Sequence, residues 1–309
     1  MLDILNVEKT FNPGTINEKK ALNGINLHLD EGDFVTVIGG NGAGKSTFLR
    51  VLAGIYRKDG GNITIDGEDV YENPAVKSKI VFVPDELYLF GGSNIMRMKQ
   101  LYKRIYPNFD ESRFTMLLDT FKLPKNKAIN TFSKGMKRQA ATILALSAKP
   151  EFLLFDETFD GLDPVMRNFV KSLICNDVVE RNVTAIITSH SLRELEDTCD
   201  QLVLLHKGGV VLESDVQNLK TSLFKVQVAF STDFDISLFE EIEIREYNKN
   251  GSVANLIVNG DRDEVVAKLS SLNPVLLDVL PLTLEEVFTH RMQAMGYDFK
   301  DILEEIGNE

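Results

Sequence analysis

The fold of this 309-residue chain is decided by one stretch of its sequence, Gly39-Gly40-Asn41-Gly42-Ala43-Gly44-Lys45-Ser46-Thr47. It fits the P-loop pattern, in which a glycine and four further residues precede Gly-Lys-Ser. Glycines let successive backbone N–H groups turn towards a phosphate without hindrance from a Cβ atom. The lysine reaches the β- and γ-phosphates, and the first hydroxyl reaches Mg²⁺. The stretch therefore predicts a site for a nucleoside triphosphate.

The segments on either side of the loop support this interpretation. Residues 34–38 form an apolar, β-branched run typical of a buried strand, and residues 46–53 indicate a helix that ends at Gly54. The positive end of that helix would face the phosphates, which weighs against a glycine-rich turn without function. The predicted nucleotide contacts are Gly39, Asn41, Gly42, Ala43, Gly44, Lys45, Ser46 and Thr47.

An apolar strand that ends in two carboxylates follows far downstream, at residues 151–157. Parallel strands deliver the residues at their carboxyl ends to the crevice in which α/β sheets bind ligands. We predict that Asp156 holds Mg²⁺ opposite Ser46, and that Glu157 orients the water that attacks the γ-phosphate. The alternative is a strand followed by an acidic helix N-cap, but the P-loop still needs a metal partner.

A third element, Thr131-Phe132-Ser133-Lys134-Gly135-Met136-Lys137-Arg138-Gln139, lies between these two. By itself, Ser133 predicts the N-cap of a helix that reaches about Lys149, with its basic residues solvated or facing phosphate. The segment also resembles the LSGGQ signature of ABC-family ATPases. Ser133 and Gly135 match the serine and the second glycine of that signature, whereas Phe132, Lys134 and Met136 depart from it.

Two further motifs follow in the order that this family has. Residues 159–164, Phe-Asp-Gly-Leu-Asp-Pro, are similar to its D-loop, and His190 follows an apolar strand at residues 183–188 as the switch histidine does. The resemblance covers roughly residues 1–215. In this stretch the chain resembles the ATP-binding subunits of bacterial ABC transporters of the drug- and peptide-exporter type. This resemblance implies ATP and Mg²⁺ as ligands, with Glu157 and His190 as catalytic residues.

The resemblance also implies that one chain cannot complete the site. In the family, two nucleotide-binding domains pack head to tail, and the signature helix of one caps the γ-phosphate of ATP held by the other. Ser133 and Gly135 would then contact a nucleotide bound elsewhere, in keeping with the anion affinity of a helix N-terminus. Because the sequence contains one P-loop, we expect a homodimer or a heterodimer with a homologous ATPase chain.

Two further positions correspond to residues that have a role in the family. The family carries a glutamine after the strand at residues 79–83, where it contacts Mg²⁺ and the transmembrane partner. Here Asp85 occupies that place; it can serve the metal as Ser46 and Asp156 do, but the coupling role is left open. An aromatic residue on the first strand stacks on adenine in the family, and Phe11 is the candidate, with core packing as the equal alternative.

The charge and the hydrophobic pattern of the chain limit the kinds of partner that it can have. The net charge of −12 argues against a nucleic-acid partner, which requires a basic face. The N-terminus has no signal-peptide pattern, and no apolar run has the length of a membrane span. We therefore expect a separate transmembrane permease subunit, with this chain cytoplasmic and peripheral on the inner face of the membrane. Two cysteines predict no disulfide framework.

The fold class predicted is α/β, with two domains. A P-loop ABC-type ATPase domain at residues 1–215 includes a helical subdomain at about 88–149. A small accessory α+β domain of ferredoxin-like character follows at residues 219–309, since alternating strands flank the turn residues Asn250-Gly251 and a helix is predicted at residues 284–295.

The sequence leaves two classes of function open. The first is the ATP-hydrolysing subunit of an ABC exporter, and the second is a soluble ABC-type ATPase acting in translation or DNA maintenance. Translation-type members usually fuse two P-loop halves, and DNA-maintenance members carry a long coiled coil between P-loop and signature. This sequence has neither feature, which favours the exporter. A GTPase fits less well, because neither Asn126-Lys127 nor Asn248-Lys249 continues into the Asn-Lys-x-Asp pattern that reads guanine.

Overall fold

The computed structural model describes residues 1–87, 90, 92–159, 161–190, 199–215, 223–280, 282–283, 286–287 and 289–290. The chain divides between Glu213 and Ser214 into two compact units.

The first unit alternates strands with helices. Its strands are β1 (Leu2–Phe11), β2 (Lys19–Leu29), β3 (Phe34–Ile38), β4 (Gly60–Ile65), β5 (Glu68–Asp69), β6 (Ile80–Val83), β7 (Phe152–Asp156), β8 (Thr184–Ser189), β9 (Gln201–His206) and β10 (Gly209–Asp215). Its helices are α1 (Lys45–Leu52), α2 (Pro74–Lys77), α3 (Ile95–Ile105), α4 (Glu111–Thr120), α5 (Lys134–Ser147) and α6 (Pro164–Arg181), with a 3₁₀ turn at Ile129–Thr131.

A six-stranded sheet with the order β10-β9-β3-β8-β7-β6 forms the centre of this unit. Strand β3 pairs in parallel with β8 and β9, and β7 pairs in parallel with β6 and β8. Every residue of β3, β7 and β8 is buried, as expected for central parallel strands that are covered on both faces. Because these strands run in the same direction, the segments that follow Ile38, Asp156 and Ser189 emerge at one edge.

A second, antiparallel sheet with the order β2-β1-β4-β5 packs against α1. Side chains of this sheet, such as Ile4 and Leu22, share one apolar cluster with Phe48 and Leu49 of α1 and with Val37 of the parallel sheet. Burial of these side chains stabilises the unit by roughly 25 cal/mol for each Å² of apolar surface removed from water. The cluster therefore holds α1, the helix that follows the P-loop, in place.

The helices α3, α4 and α5 occupy the region predicted as helical. Each begins at a side-chain cap, since Asn94, Asp110 and Ser133 accept hydrogen bonds from the backbone N–H groups of their first turns. Arg113 of α4 forms an ion pair of 2.6 Å with the buried Asp177 of α6. This pair ties the helical region to a helix that follows the central strand β7.

The second unit holds β11 (Leu223–Ala229), β12 (Ile244–Asn250), β13 (Val253–Asn259), α7 (Arg262–Ser271), β14 (Leu276–Leu280) and a 3₁₀ turn at Ile236–Phe239. Its antiparallel sheet has the order β12-β13-β11-β14, which is the 4-1-3-2 order of ferredoxin-like sheets when read from β14. The hairpin predicted at Asn250-Gly251 is present, with Asn250 opposite Val253. Of the helix predicted at residues 284–295, the described residues 286–287 and 289–290 are helical, and the other positions lie outside the described residues.

The predicted fold class, α/β with a P-loop and an added ferredoxin-like sheet, is confirmed. Within the described ranges, none of the helices combines the length and the apolar character that crossing a bilayer requires.

Candidate nucleotide site

The loop between β3 and α1 is built on glycines for steric reasons. A Cβ atom at Gly39 would lie 2.4 Å from the carbonyl oxygen of Leu205, so a side chain there would collide with backbone. Gly44 has φ +110° and its Cβ atom would lie 2.6 Å from the carbonyl oxygen of Ala21. Only glycine fits both the dihedral angle and the space at this position. The loop is therefore pressed between β2 and β9, with its backbone free to face an anion.

Lys45, the first residue of α1, is the buried cation of the loop. Its side chain is 6% exposed, and its ammonium donates to the carbonyl oxygens of Gly39 at 2.6 Å and Gly40 at 3.4 Å. The same ammonium lies 3.3 Å from Oε1 of Glu157. A positive charge is thus held on the inner side of the loop, next to the carboxylate that follows β7.

Asp156 closes the site from the end of β7. Its Oδ1 accepts hydrogen bonds from the hydroxyls of Ser46 at 3.0 Å and Thr188 at 2.8 Å. The side chain is fully buried, and its Oδ2 has no hydrogen-bond partner among the described residues. Burial raises the pKa of this carboxyl, the two hydroxyl hydrogen bonds lower it, and the nearby charge of Glu157 raises it further.

This donor set fits Mg²⁺. A hydroxyl and a carboxylate are the oxygen ligands that the ion prefers, and the Oδ2 atom of Asp156 is a buried acceptor that still requires a partner. Ser46 and Asp156 are the residues that can hold the ion. Asp85, the third residue predicted for the metal, has a different partner in the structure.

Replacing Asp156 with asparagine is expected to stabilise the metal-free protein by about 1 kcal/mol at neutral pH, because a buried, partly unpaired charge is removed. The folded-state pKa of Asp156 is raised, so its charge opposes folding above that pKa and ceases to do so as pH falls through it towards the unfolded value. Thermal unfolding in EDTA should therefore show a gain for D156N that shrinks on acidification. A gain that grows on acidification, or a loss at neutral pH, would contradict this account.

Glu157 and His190 form a pair at the same edge. His190 Nδ1 lies 2.6 Å from Oε2 of Glu157, and the backbone N–H of Glu157 donates to Thr188 Oγ1 at 3.0 Å. Glu157 has φ +50°, a left-handed conformation that is uncommon in residues other than glycine and that clusters at functional sites. The predicted catalytic residues are thus brought together with Lys45 in a chain of contacts.

Asp85 forms an ion pair with Arg138 of α5, and the Arg138 guanidinium donates a hydrogen bond to the Asp85 carboxylate. The expectation that the basic residues of this helix are solvated or face phosphate is wrong for Arg138, which is 1% exposed. The pairing links two segments 53 positions apart, so no local pattern reveals it. The sequence signal that points to a buried Arg138 is helical spacing. Ala141 and Ala145, which are one and two turns further along the same face of α5, are also buried.

Ser133 and Gly135 lie at the exposed start of α5. The hydroxyl oxygen of Ser133 accepts a hydrogen bond of 3.2 Å from the backbone N–H of Met136, which confirms the predicted N-cap. A Cβ atom at Gly135 would lie 3.2 Å from the carbonyl oxygen of Gly161 in the predicted D-loop, so a side chain there would be tightly confined. Asp160 of that loop is outside the described residues, and Asp163 caps α6.

Phe11 is half-buried at the end of β1. Its ring meets Tyr56 edge to face with centroids 5.6 Å apart, and the ammonium of Lys9 lies 5.7 Å from the ring centroid. One aromatic neighbour and one cation are compatible with both packing and stacking on a base. The role of Phe11 in binding adenine stays a prediction.

The fold and the site together define a P-loop nucleoside triphosphatase. A sequence model of the ABC transporter family matches residues 22–160. The chain is 30% identical over 273 residues to the ABC transporter ATP-binding protein YtrB of Bacillus subtilis, covering 88% of this chain and 93% of that one. It therefore belongs to the family of ABC transporter ATP-binding proteins and is the ATP-hydrolysing subunit of a transporter.

Two further comparisons agree with this assignment. The daunorubicin/doxorubicin resistance ATP-binding protein DrrA of Streptomyces peucetius is 30% identical over 214 residues, covering 67% of this chain and 64% of that one. The solved structure of a dimeric ATP-binding cassette bound to ADP and Pi has a TM-score of 0.61 at 22% identity, covering 70% of this chain and 99% of that one. The similarity to this solved structure shows that the two chains share the same fold.

Proposed function

We propose that this chain powers an ABC exporter through a separate transmembrane subunit. The observation that carries its catalytic part is the contact chain Lys45–Glu157–His190, which places a carboxylate between the P-loop cation and a histidine. The name of DrrA, which refers to drug resistance, supports the direction of transport. The competing class, a soluble ABC-type ATPase of translation or DNA maintenance, is not favoured by the relatives.

In the proposed mechanism the loop residues 39–47 bind the phosphates of ATP, and the Lys45 ammonium neutralises part of their charge. Ser46 and Asp156 hold Mg²⁺, which when bound shields the β- and γ-phosphate charges. Glu157 accepts a hydrogen bond from the attacking water and aligns it with the γ-phosphorus. His190 donates to Glu157 and keeps the carboxylate oriented, while Thr188 holds the backbone of Glu157.

The same proposal includes a head-to-tail dimer. The N-terminus of α5 has an exposed serine, backbone N–H groups and the positive end of a 14-residue helix, which together suit the γ-phosphate of a nucleotide on another chain. ATP would then join two chains, and hydrolysis would release them. The partner is a second copy or a homologous ATPase chain.

We also propose that residues 1–215 are the ATPase domain and that residues 219–309 are an accessory domain. Each predicted phosphate, metal and catalytic residue lies in the first segment. The second has its own apolar core, in which Val226, Val228 and Leu256 pack with Phe239 and Leu269. We place the chain on the cytoplasmic face of the membrane, where ATP is available.

The experiment that tests the exporter is purification through a tag on this chain from detergent-solubilised membranes of its native host. We expect a polytopic membrane protein in near-stoichiometric amount, and we expect inside-out vesicles containing the complex to accumulate amphipathic dyes when ATP is added. Vesicles carrying E157Q are the control. Recovery with ribosomes or DNA-bound proteins, or a membrane complex that moves solute only out of such vesicles, would contradict the proposal.

A further inference from the structure

We propose that Lys19, outside the P-loop motif, is a further contact for the phosphate chain of the bound nucleotide. The inference rests on the proposed phosphate-binding role of residues 39–47. It concerns a residue that no motif of the sequence singles out.

The first observation is the position of the Lys19 ammonium. A Cβ atom at Gly42, in the middle of the P-loop, would lie 3.6 Å from Nζ of Lys19. The beginning of β2 runs along the loop, as the carbonyl oxygen of Ala21 shows by its closeness to Gly44. The Lys19 side chain therefore reaches the loop from β2, whereas Lys45 reaches it from α1.

The second observation is the place of Lys19 in the antiparallel sheet. Lys19 stands directly opposite Phe11 in the pairing of β1 with β2, so both residues are on one face of the sheet. Phe11 is the residue predicted to stack on adenine. Lys19 thus lies between the predicted position of the base and the loop predicted to hold the phosphates.

The third observation is that the charge of Lys19 is uncompensated. Among the described residues, its ammonium has neither a hydrogen-bond acceptor nor a carboxylate within ion-pair distance, whereas the neighbouring Lys20 lies 3.0 Å from Oε1 of Glu8. Lys20 stands opposite Thr10 and faces the other side of the sheet. An exposed ammonium beside a phosphate-binding loop forms a charge-assisted hydrogen bond when a polyphosphate arrives.

The test is isothermal titration of the full chain with two probes, ADP and a non-hydrolysable ATP analogue, each with Mg²⁺. We expect K19Q to raise Kd about 5- to 10-fold, as for one partly solvated contact to a charged group, and K19R to retain most of the affinity. The loss should diminish at high ionic strength. Lys20→Gln is the matched control, since it removes the same charge one residue away and should leave Kd unchanged.

The outcomes separate the two proposals. If the wild-type chain binds neither probe, the proposed nucleotide site itself is wrong. If wild type binds, Lys45→Ala abolishes binding and K19Q binds as tightly as wild type, the inference about Lys19 alone is overturned. Equal losses in K19Q and K20Q would also overturn it, because the effect would then be that of net charge. A K19Q defect confined to dimer formation would assign Lys19 to the partner chain and overturn it as well.

Discussion

Hydrolysis by the E157Q variant is expected to fall at least about a hundredfold, because the amide cannot accept the proton of the attacking water as the carboxylate does. ATP binding should persist, since Lys45, Ser46 and Asp156 are unchanged. The variant should therefore accumulate as an ATP-bound dimer that elutes earlier from a sizing column when ATP and Mg²⁺ are present.

The contacts of Glu157 show why glutamine is the informative replacement. Glutamine has nearly the same shape, so the contact with His190 and the backbone hydrogen bond to Thr188 can be preserved while the negative charge beside Lys45 is lost. Glu151→Gln is the matched control, because Glu151 lies just before the same strand but is half-exposed and paired with Lys79. Near-normal turnover by E157Q, with E151Q also active, would remove Glu157 from the proposed role.

Much of this site could be predicted because its residues lie in short, locally determined segments. The P-loop is contiguous, and Asp156 and Glu157 end an apolar strand whose partners in a parallel sheet deliver their own ends to the same edge. Ser133 caps its helix through a residue three positions away. In each case the residues that matter lie in one short segment, and a general rule of helix capping or of parallel sheets places that segment, so the pattern of residues is sufficient.

Other features depend on packing between distant segments and could not be predicted. The pair of Arg138 with Asp85 forms because α5 lies beside the segment that follows β6. Breaking it would leave a buried cation without its counter-charge, which is costly. The approach of Lys19 to Gly42 likewise depends on how the antiparallel sheet packs on the loop. The sequence alone predicts that Arg138 is solvated or faces phosphate, because charged side chains are rarely buried unless they are paired.

Two chains are expected to share each nucleotide site. Lys45→Ala should abolish ATP binding, because it deletes the buried ammonium of the P-loop, which is proposed to neutralise phosphate charge. Ser133→Arg should spare ATP binding, since Ser133 is on a separate helix, but a bulky side chain at the exposed start of α5 should prevent the capping of a phosphate from the other chain. Each variant alone should be inactive in hydrolysis.

Mixing the two inactive variants distinguishes a shared site from a self-contained one. In a mixed dimer one site carries both defects, while the other combines the intact P-loop of S133R with the intact α5 of K45A. With random exchange, up to about a quarter of wild-type activity should return, since half of the dimers are mixed and each holds one intact site. Ser172→Arg, which places the same side chain on the exposed face of α6, is the control and should remain active alone. If differently tagged chains co-purify as mixed dimers and no hydrolysis returns, each chain must complete its own site, and the role given to Ser133 and Gly135 is wrong.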